Sequence, residues 1–124
     1  MGKLRALIVE DDRDLAQLFS MALKEAGFET EIAYTGDSAI EQLQTGEPPD
    51  VVVLDLYLPH VGGKEVLDRI RSDARLEGTQ VIIATAGVRA AELLHDQAEI
   101  VLVKPVDFTQ LRDLAARLVR QKPS

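Results

Sequence analysis

The chain has 124 residues, 46% apolar and 28% charged, which suits one domain with a full hydrophobic core and leaves little room for a second. The absence of cysteine excludes a disulfide framework and a thiolate metal site, and fits a reducing compartment. With 21 acidic against 14 basic side chains the formal net charge is −7, so the surface repels phosphate backbones and no direct nucleic-acid partner is expected.

Leu4–Val9 is a short apolar run that stops at Glu10-Asp11-Asp12, far too early for a signal peptide. Position 6 is Ala rather than Ser or Thr, so Gly2 does not open a myristoylation pattern. No stretch approaches a membrane span, and the expected location is the cytoplasm, with no membrane partner. Leu15, Leu18, Phe19, Ala22, Leu23 and Ala26 then recur three and four apart, as on one face of a helix, and Gly27 is a natural stop. Phe28–Tyr34 reads as a second strand, more polar and nearer an edge.

Gly36–Thr45 carries Ala39, Ile40 and Leu43 at helical spacing and stops at Gly46. Pro48-Pro49 breaks the chain before the β-branched run Val51–Leu54. Pro59 and Gly62-Gly63 mark a loop, and Val66, Leu67 and Ile70 define a third helix. Val81–Ala84 and Ile100–Val103 read as the last two strands, with a fourth helix from about Val88 to Asp96 between them. The last helix starts near Asp107, an N-cap, and runs through Leu111, Leu114, Ala115, Leu118 and Val119, leaving Gln121–Ser124 as a tail.

Five strand–helix units in a row imply an α/β fold, a parallel sheet with helices on both faces. The first, third, fourth and fifth strands are expected to be buried on both sides. Right-handed crossovers favour a doubly wound sheet, for which the order 2-1-3-4-5 is among the common solutions.

In such sheets ligands bind beyond the carboxyl ends of the strands. Those ends carry Glu10-Asp11-Asp12, Asp55, Thr85 and Lys104-Pro105. Carboxylates gathered within about 4–5 Å repel by roughly 3–4 kcal/mol per pair at an effective dielectric near 20. A divalent cation removes that penalty, and an all-oxygen site suits Mg²⁺. Asp55 could then attack a phosphoryl donor, with Lys104 neutralising charge and Thr85 offering a hydroxyl donor. Each piece alone has an ordinary structural reading: an acidic first helical turn, a turn-forming Asp, a strand-end Thr, a loop Lys-Pro. Their joint occurrence at four strand ends is what points to chemistry.

Over about residues 4 to 120 the chain resembles the receiver domains of bacterial two-component response regulators. The resemblance is carried by Leu7-Ile8-Val9-Glu10-Asp11, by Val52–Pro59 with Gly63, by Gly36–Ile40, by Ile82–Ala86 and by Lys104-Pro105. It implies a five-stranded flavodoxin-like fold of order 2-1-3-4-5, one receiver domain spanning 1–124, and a signalling switch rather than an enzyme acting on other molecules. It implies Asp55 as phosphoacceptor and metal ligand, with Asp11 on Mg²⁺, Glu10 on it through water, and the Tyr57 carbonyl completing the shell. Thr85 and the Ala86 amide would bind the phosphoryl group, Lys104 would pair with Asp55, and Pro105 would follow a cis bond. Asp12 falls outside the acidic pair and is read as a helix cap. Tyr57, two residues after Asp55, implies slow phosphoryl loss.

The expected donor is a histidine kinase or phosphotransfer protein, and the output an unidentified downstream protein or domain. The chain would act as a monomer or a phosphorylation-dependent homodimer, either standing alone or as part of a longer protein. Two departures stand out: Val101 replaces the usual aromatic three residues before the lysine, and the stretch between Thr85 and Lys104 is shortened, so a short or loosely packed fourth helix is expected. These favour one rival, a receiver fold used only for docking. Haloacid-dehalogenase phosphotransferases need a second Asp where Tyr57 stands, and a nucleotide-binding domain needs glycines where the acidic run stands. His60 and His95 lack metal-ligand spacing, and Arg69, Arg71, Arg75, Arg112, Arg117 and Arg120 are expected on solvated helix faces.

Overall fold

The computed structural model describes residues 3–121, so positions 122–124 of the expected tail lie outside the described residues, while Gln121 closes the last helix. The elements alternate strictly: β1 (Leu4–Val9), α1 (Arg13–Glu25), β2 (Phe28–Ala33), α2 (Gly36–Thr45), β3 (Val51–Leu54), α3 (Gly63–Ser72), β4 (Gln80–Thr85), α4 (Val88–Leu94), β5 (Ile100–Val103) and α5 (Phe108–Gln121). All strand pairs are parallel and the order is β2-β1-β3-β4-β5.

Period-two alternation divides the apolar residues of each central strand between two cores. Leu7, Val9, Val52, Leu54, Val81 and Ile83 meet Ala39 and Leu43 of α2 and Val66, Leu67 and Ile70 of α3. Ala6, Ile8, Val51, Val53, Ile82 and Ala84 face the other way, onto Ala16, Phe19, Ala22 and Leu23 of α1 and Leu111, Ala115 and Leu118 of α5. This two-sided burial is why β1, β3 and β4 read as unbroken apolar runs.

The fifth strand departs from expectation. Ile100, Val101 and Leu102 are only partly buried and Val103 is 42% exposed. As an edge strand β5 has a neighbour on one side alone, and α4 is only 7 residues long, so neither face is fully covered.

Local caps explain where the helices begin and end. Asp12 Oδ1 accepts the N–H groups of Asp14 (3.0 Å) and Leu15 (3.1 Å), satisfying two of the orphan donors at the start of α1. Gly27, at φ +104°, turns the chain out of α1 through a conformation that side chains disfavour.

Two arginines expected on solvated faces instead tie segments together. Arg75 donates to the carbonyls of Leu43, Gln44 and Gly46 and so caps the end of α2. Arg71 donates to the carbonyls of Gln97 (3.0 Å) and Thr79 (3.3 Å) and to both oxygens of Glu99, which itself accepts the Val81 N–H. Arg71 thus anchors the entry to β5 from α3. Arg71→Ala should cost about 2 kcal/mol by leaving these acceptors to water. Urea unfolding checks it, with exposed Arg69→Ala as the control; equal midpoints for the two variants would contradict the anchoring role. Arg112 pairs with Glu25 and Asp113, and the Arg120 side chain lies outside the described residues.

Candidate functional site

The strand ends converge through their backbones before any side chain is considered. Glu10 N–H donates to Ala33 O (3.1 Å), Asp55 N–H to Val9 O (3.0 Å) and Lys104 N–H to Thr85 O (2.8 Å), which locks neighbouring ends side by side. Glu10, Asp55, Thr85 and Lys104 come from four parallel strands whose registers bring them to one rim.

Glu10 and Asp55 are buried at 1% and 4% exposure, an unusual state for carboxylates that calls for compensation. Lys104 supplies it, with Nζ 2.7 Å from Glu10 Oε1 and 3.1 Å from Asp55 Oδ2. The remaining oxygens are held by backbone: Asp12 N–H donates to Glu10 Oε2 (3.1 Å) and Tyr57 N–H to Asp55 Oδ1 (3.0 Å). Desolvation pushes the Glu10 carboxyl above its ordinary range, against the Lys104 and Asp12 hydrogen bonds that lower it. Burial pulls the Lys104 ammonium down, but its bonds to Glu10 and Asp55 outweigh this and hold it above its ordinary value. The bond between Lys104 and Pro105 is cis.

Asp11 is exposed beside the buried pair, and one carboxylate oxygen from each of Glu10, Asp11 and Asp55 lies within 4.8 Å of the others. Three hard anionic oxygens so close suit a small divalent cation, and the exposed side of Asp11 leaves room for water or a further oxygen ligand. Thr85 is fully buried; its Oγ1 accepts the Gly87 N–H (3.2 Å), which leaves the hydroxyl proton free to donate elsewhere. Ala86 is exposed beside it. His60 and His95 are both exposed, His95 bonded to Glu92 O and paired with Asp96.

The model of a known family, the response regulator receiver domain, matches residues 6–116. The chain belongs to this family. Similar relatives of this receiver include the response regulator ArlR of Staphylococcus saprophyticus, 30% identical over 122 residues (96% of this chain, 54% of that protein). The transcriptional regulatory protein TrcR of Mycobacterium tuberculosis is 35% identical over 116 residues (93% of this chain, 44% of that protein). The receiver therefore spans about half the length of these curated relatives. Among solved structures, the signal receiver domain of a DNA binding response regulator protein from Colwellia psychrerythraea superposes with a TM-score of 0.84 at 30% identity, covering 95% of this chain and 99% of that one. The response regulator TrrA from Thermotoga maritima, solved in complex with Mg²⁺-BeF, gives 0.81 at 28% identity, covering 93% and 98%.

Gly63 is among the residues that carry the resemblance, but the close backbone approach it permits was not legible in the sequence. Gly63, at the start of α3, lies against the backbone of the loop after β3: a Cβ there would stand 2.9 Å from the Asp55 carbonyl carbon and closer still to its oxygen and to Leu56 Cα. Backbone cannot yield as a side chain can. Gly63→Ala should destabilise the receiver by about 2–3 kcal/mol, visible as a lowered urea midpoint. An unchanged midpoint would mean that the α3 start tolerates a shift.

Proposed function

We propose that this receiver is a Mg²⁺-dependent phosphorylation switch in which Asp55 accepts a phosphoryl group from a phosphohistidine of a histidine kinase or phosphotransfer protein. The observation that carries it is the pairing of a buried, aimed carboxylate on Asp55 with the Lys104 ammonium at 3.1 Å and two further carboxylates within 4.8 Å. A structural ion pair has no need of the extra acids, which only add repulsion.

Glu10, Asp11 and Asp55 would hold Mg²⁺, together with the Tyr57 carbonyl. Bound there, the ion supplies positive charge to neutralise the gathered carboxylates and the transferring oxygens. Asp55 is pre-oriented by the Tyr57 N–H and by Lys104, so one carboxylate oxygen can form the new P–O bond as the donor's P–N bond breaks, the electron pair leaving with the imidazole. Lys104 stays within reach of the charge that arrives. The Thr85 hydroxyl and the Ala86 amide supply donors for phosphoryl oxygens, and the phosphoryl group biases the domain between two conformations. The complex of TrrA with Mg²⁺-BeF supports the same ligand class here.

The relatives' names, transcriptional regulators among them, support an output through a downstream protein or an attached domain. No described helix is long and apolar enough to cross a membrane. The test is intact mass after incubation with a small-molecule phosphodonor, with and without Mg²⁺. A single Mg²⁺-dependent phosphoryl adduct is expected. A folded protein that takes no adduct and binds no Mg²⁺ would instead be a docking module, the reading that Val101 and the half-open β5 favour.

A further inference from the structure

The sequence separates Tyr57 from Gly87 by α3 and β4, yet their contact bridges the loops that follow β3 and β4. The Tyr57 side chain is 59% exposed, but its ring is not free. It lies on the bare Cα of Gly87, the residue before α4. A Cβ at Gly87 would come within 2.7 Å of Tyr57 Cε2 and 2.8 Å of Cζ, and nearer still to the hydroxyl. Each end of this contact leads back to the site. The Tyr57 N–H holds Asp55 Oδ1 (3.0 Å), and the Gly87 N–H holds Thr85 Oγ1 (3.2 Å). A ring therefore sits between the segment that carries the acceptor and the turn Thr85-Ala86-Gly87 that carries the hydroxyl. At β5, by contrast, position 101 is a half-buried valine packed on the α2/α3 side of the sheet, with no ring to respond to Thr85.

We propose that Tyr57 is a positioning residue for Thr85. Its ring, seated where Gly87 lacks a Cβ, sets the approach of the Thr85–Gly87 turn to Asp55, and through it the aim of the hydroxyl at a phosphoryl oxygen. Gly87 is then required for the seat rather than for backbone freedom. This rests on the phosphoryl-switch reading for its consequence, but not for the contact itself.

The test pairs a ligand measurement with a contact measurement on Tyr57→Ala, Gly87→Ala and the double variant. With Mg²⁺ present, affinity for beryllium fluoride, a tetrahedral mimic of the aspartyl phosphoryl group, should fall about three- to tenfold in each single variant, as for one misaimed hydrogen bond. The double variant should be no worse than either single one, because both remove the same contact. Tyr57→Phe keeps the ring and should recover most of the affinity lost in Tyr57→Ala. Affinity of Gly87→Ala for Mg²⁺ alone should hold within about twofold, since Gly87 offers the cation no ligand. In the metal-free protein the Gly87 amide should exchange with solvent several-fold faster in Tyr57→Ala than in the native chain. Additive losses, or an equal loss of Mg²⁺ affinity in Gly87→Ala, would overturn the proposal, as would unchanged Gly87 exchange. If the native chain itself ignores beryllium fluoride, the switch reading fails, and the exchange result alone decides whether the ring positions the turn.

Discussion

Asp55→Asn should take up no phosphoryl group under conditions in which the native chain is expected to be modified on nearly every molecule. The substitution keeps shape and volume, so the amide oxygen can still accept the Tyr57 N–H that now binds Oδ1. What it removes is the nucleophile: a neutral amide has no anionic oxygen to form the P–O bond. It also removes one of the three carboxylates whose oxygens lie within 4.8 Å, so Mg²⁺ should bind roughly tenfold or more weakly for the lost charge. The fold should not suffer in proportion, because the repulsion between Asp55 and Glu10 disappears with the charge. Intact mass, Mg²⁺ calorimetry and a urea titration on the same preparation separate these effects. A Mg²⁺-dependent adduct persisting on Asp55→Asn would place the acceptor elsewhere and refute the assignment.

Removing Lys104 should produce a split that few site variants show: weaker phosphorylation with tighter Mg²⁺ binding. The Lys104 ammonium bridges Glu10 and Asp55, at 2.7 and 3.1 Å. Lys104→Met leaves two buried carboxylates facing each other, at a cost of about 3 kcal/mol. Mg²⁺ no longer has to share those oxygens with an ammonium, so its affinity should rise at least about tenfold, and saturating Mg²⁺ should recover much of the lost stability. Phosphoryl uptake should nevertheless fall about 100-fold or more, because the cation that faces the incoming oxygens is gone. Urea midpoints with and without Mg²⁺ give the first two quantities and the rate of adduct formation gives the third. Weaker Mg²⁺ binding in Lys104→Met would show that the lysine shapes the metal site rather than competing for it.

The pH dependence of the native chain carries the same signature. Lys104 is held above its ordinary value, so its pairing contributes fully below the unfolded lysine value of 10.5 and is lost as pH climbs through the higher folded value. The Glu10 carboxyl is raised, so the metal-free fold gains from its protonation in mild acid and loses that gain as pH rises through its folded value. Mg²⁺ needs the ionised form, so its affinity should run the opposite way.

Much of this receiver was readable before any coordinate. Apolar period changes gave the ten alternating elements, continuous runs marked β1, β3 and β4, and with them β5, as buried on both sides, and Asp12, falling outside the acidic pair of the resemblance, was read as the cap it is. The candidate site residues followed from a rule about parallel sheets, since Thr85 ends a strand and Glu10, Asp55 and Lys104 each stand one residue past one. Periodicity and strand ends are local properties, written within a few residues of one another.

The features that escaped the sequence depend on where remote backbone comes to lie. Burial of β5 was overestimated because its apolar run looks like that of a central strand, although the expected order 2-1-3-4-5 already put it at an edge and a short α4 was expected; how little covers it shows only in the packed fold. Arg71 and Arg75 resemble any solvated helix arginine until the carbonyls of Thr79, Gln97, Leu43 and Gly46 are seen within reach. Gly63 and Gly87 carry no chemistry in the sequence, and their need for a missing Cβ appears only when the Asp55 backbone and the Tyr57 ring occupy that space. Sequence alone determined which groups reach the rim. Tertiary structure decided which are bonded, which are shielded and what holds them, because hydrogen bonds and close contacts act over a few ångströms of space however many residues intervene.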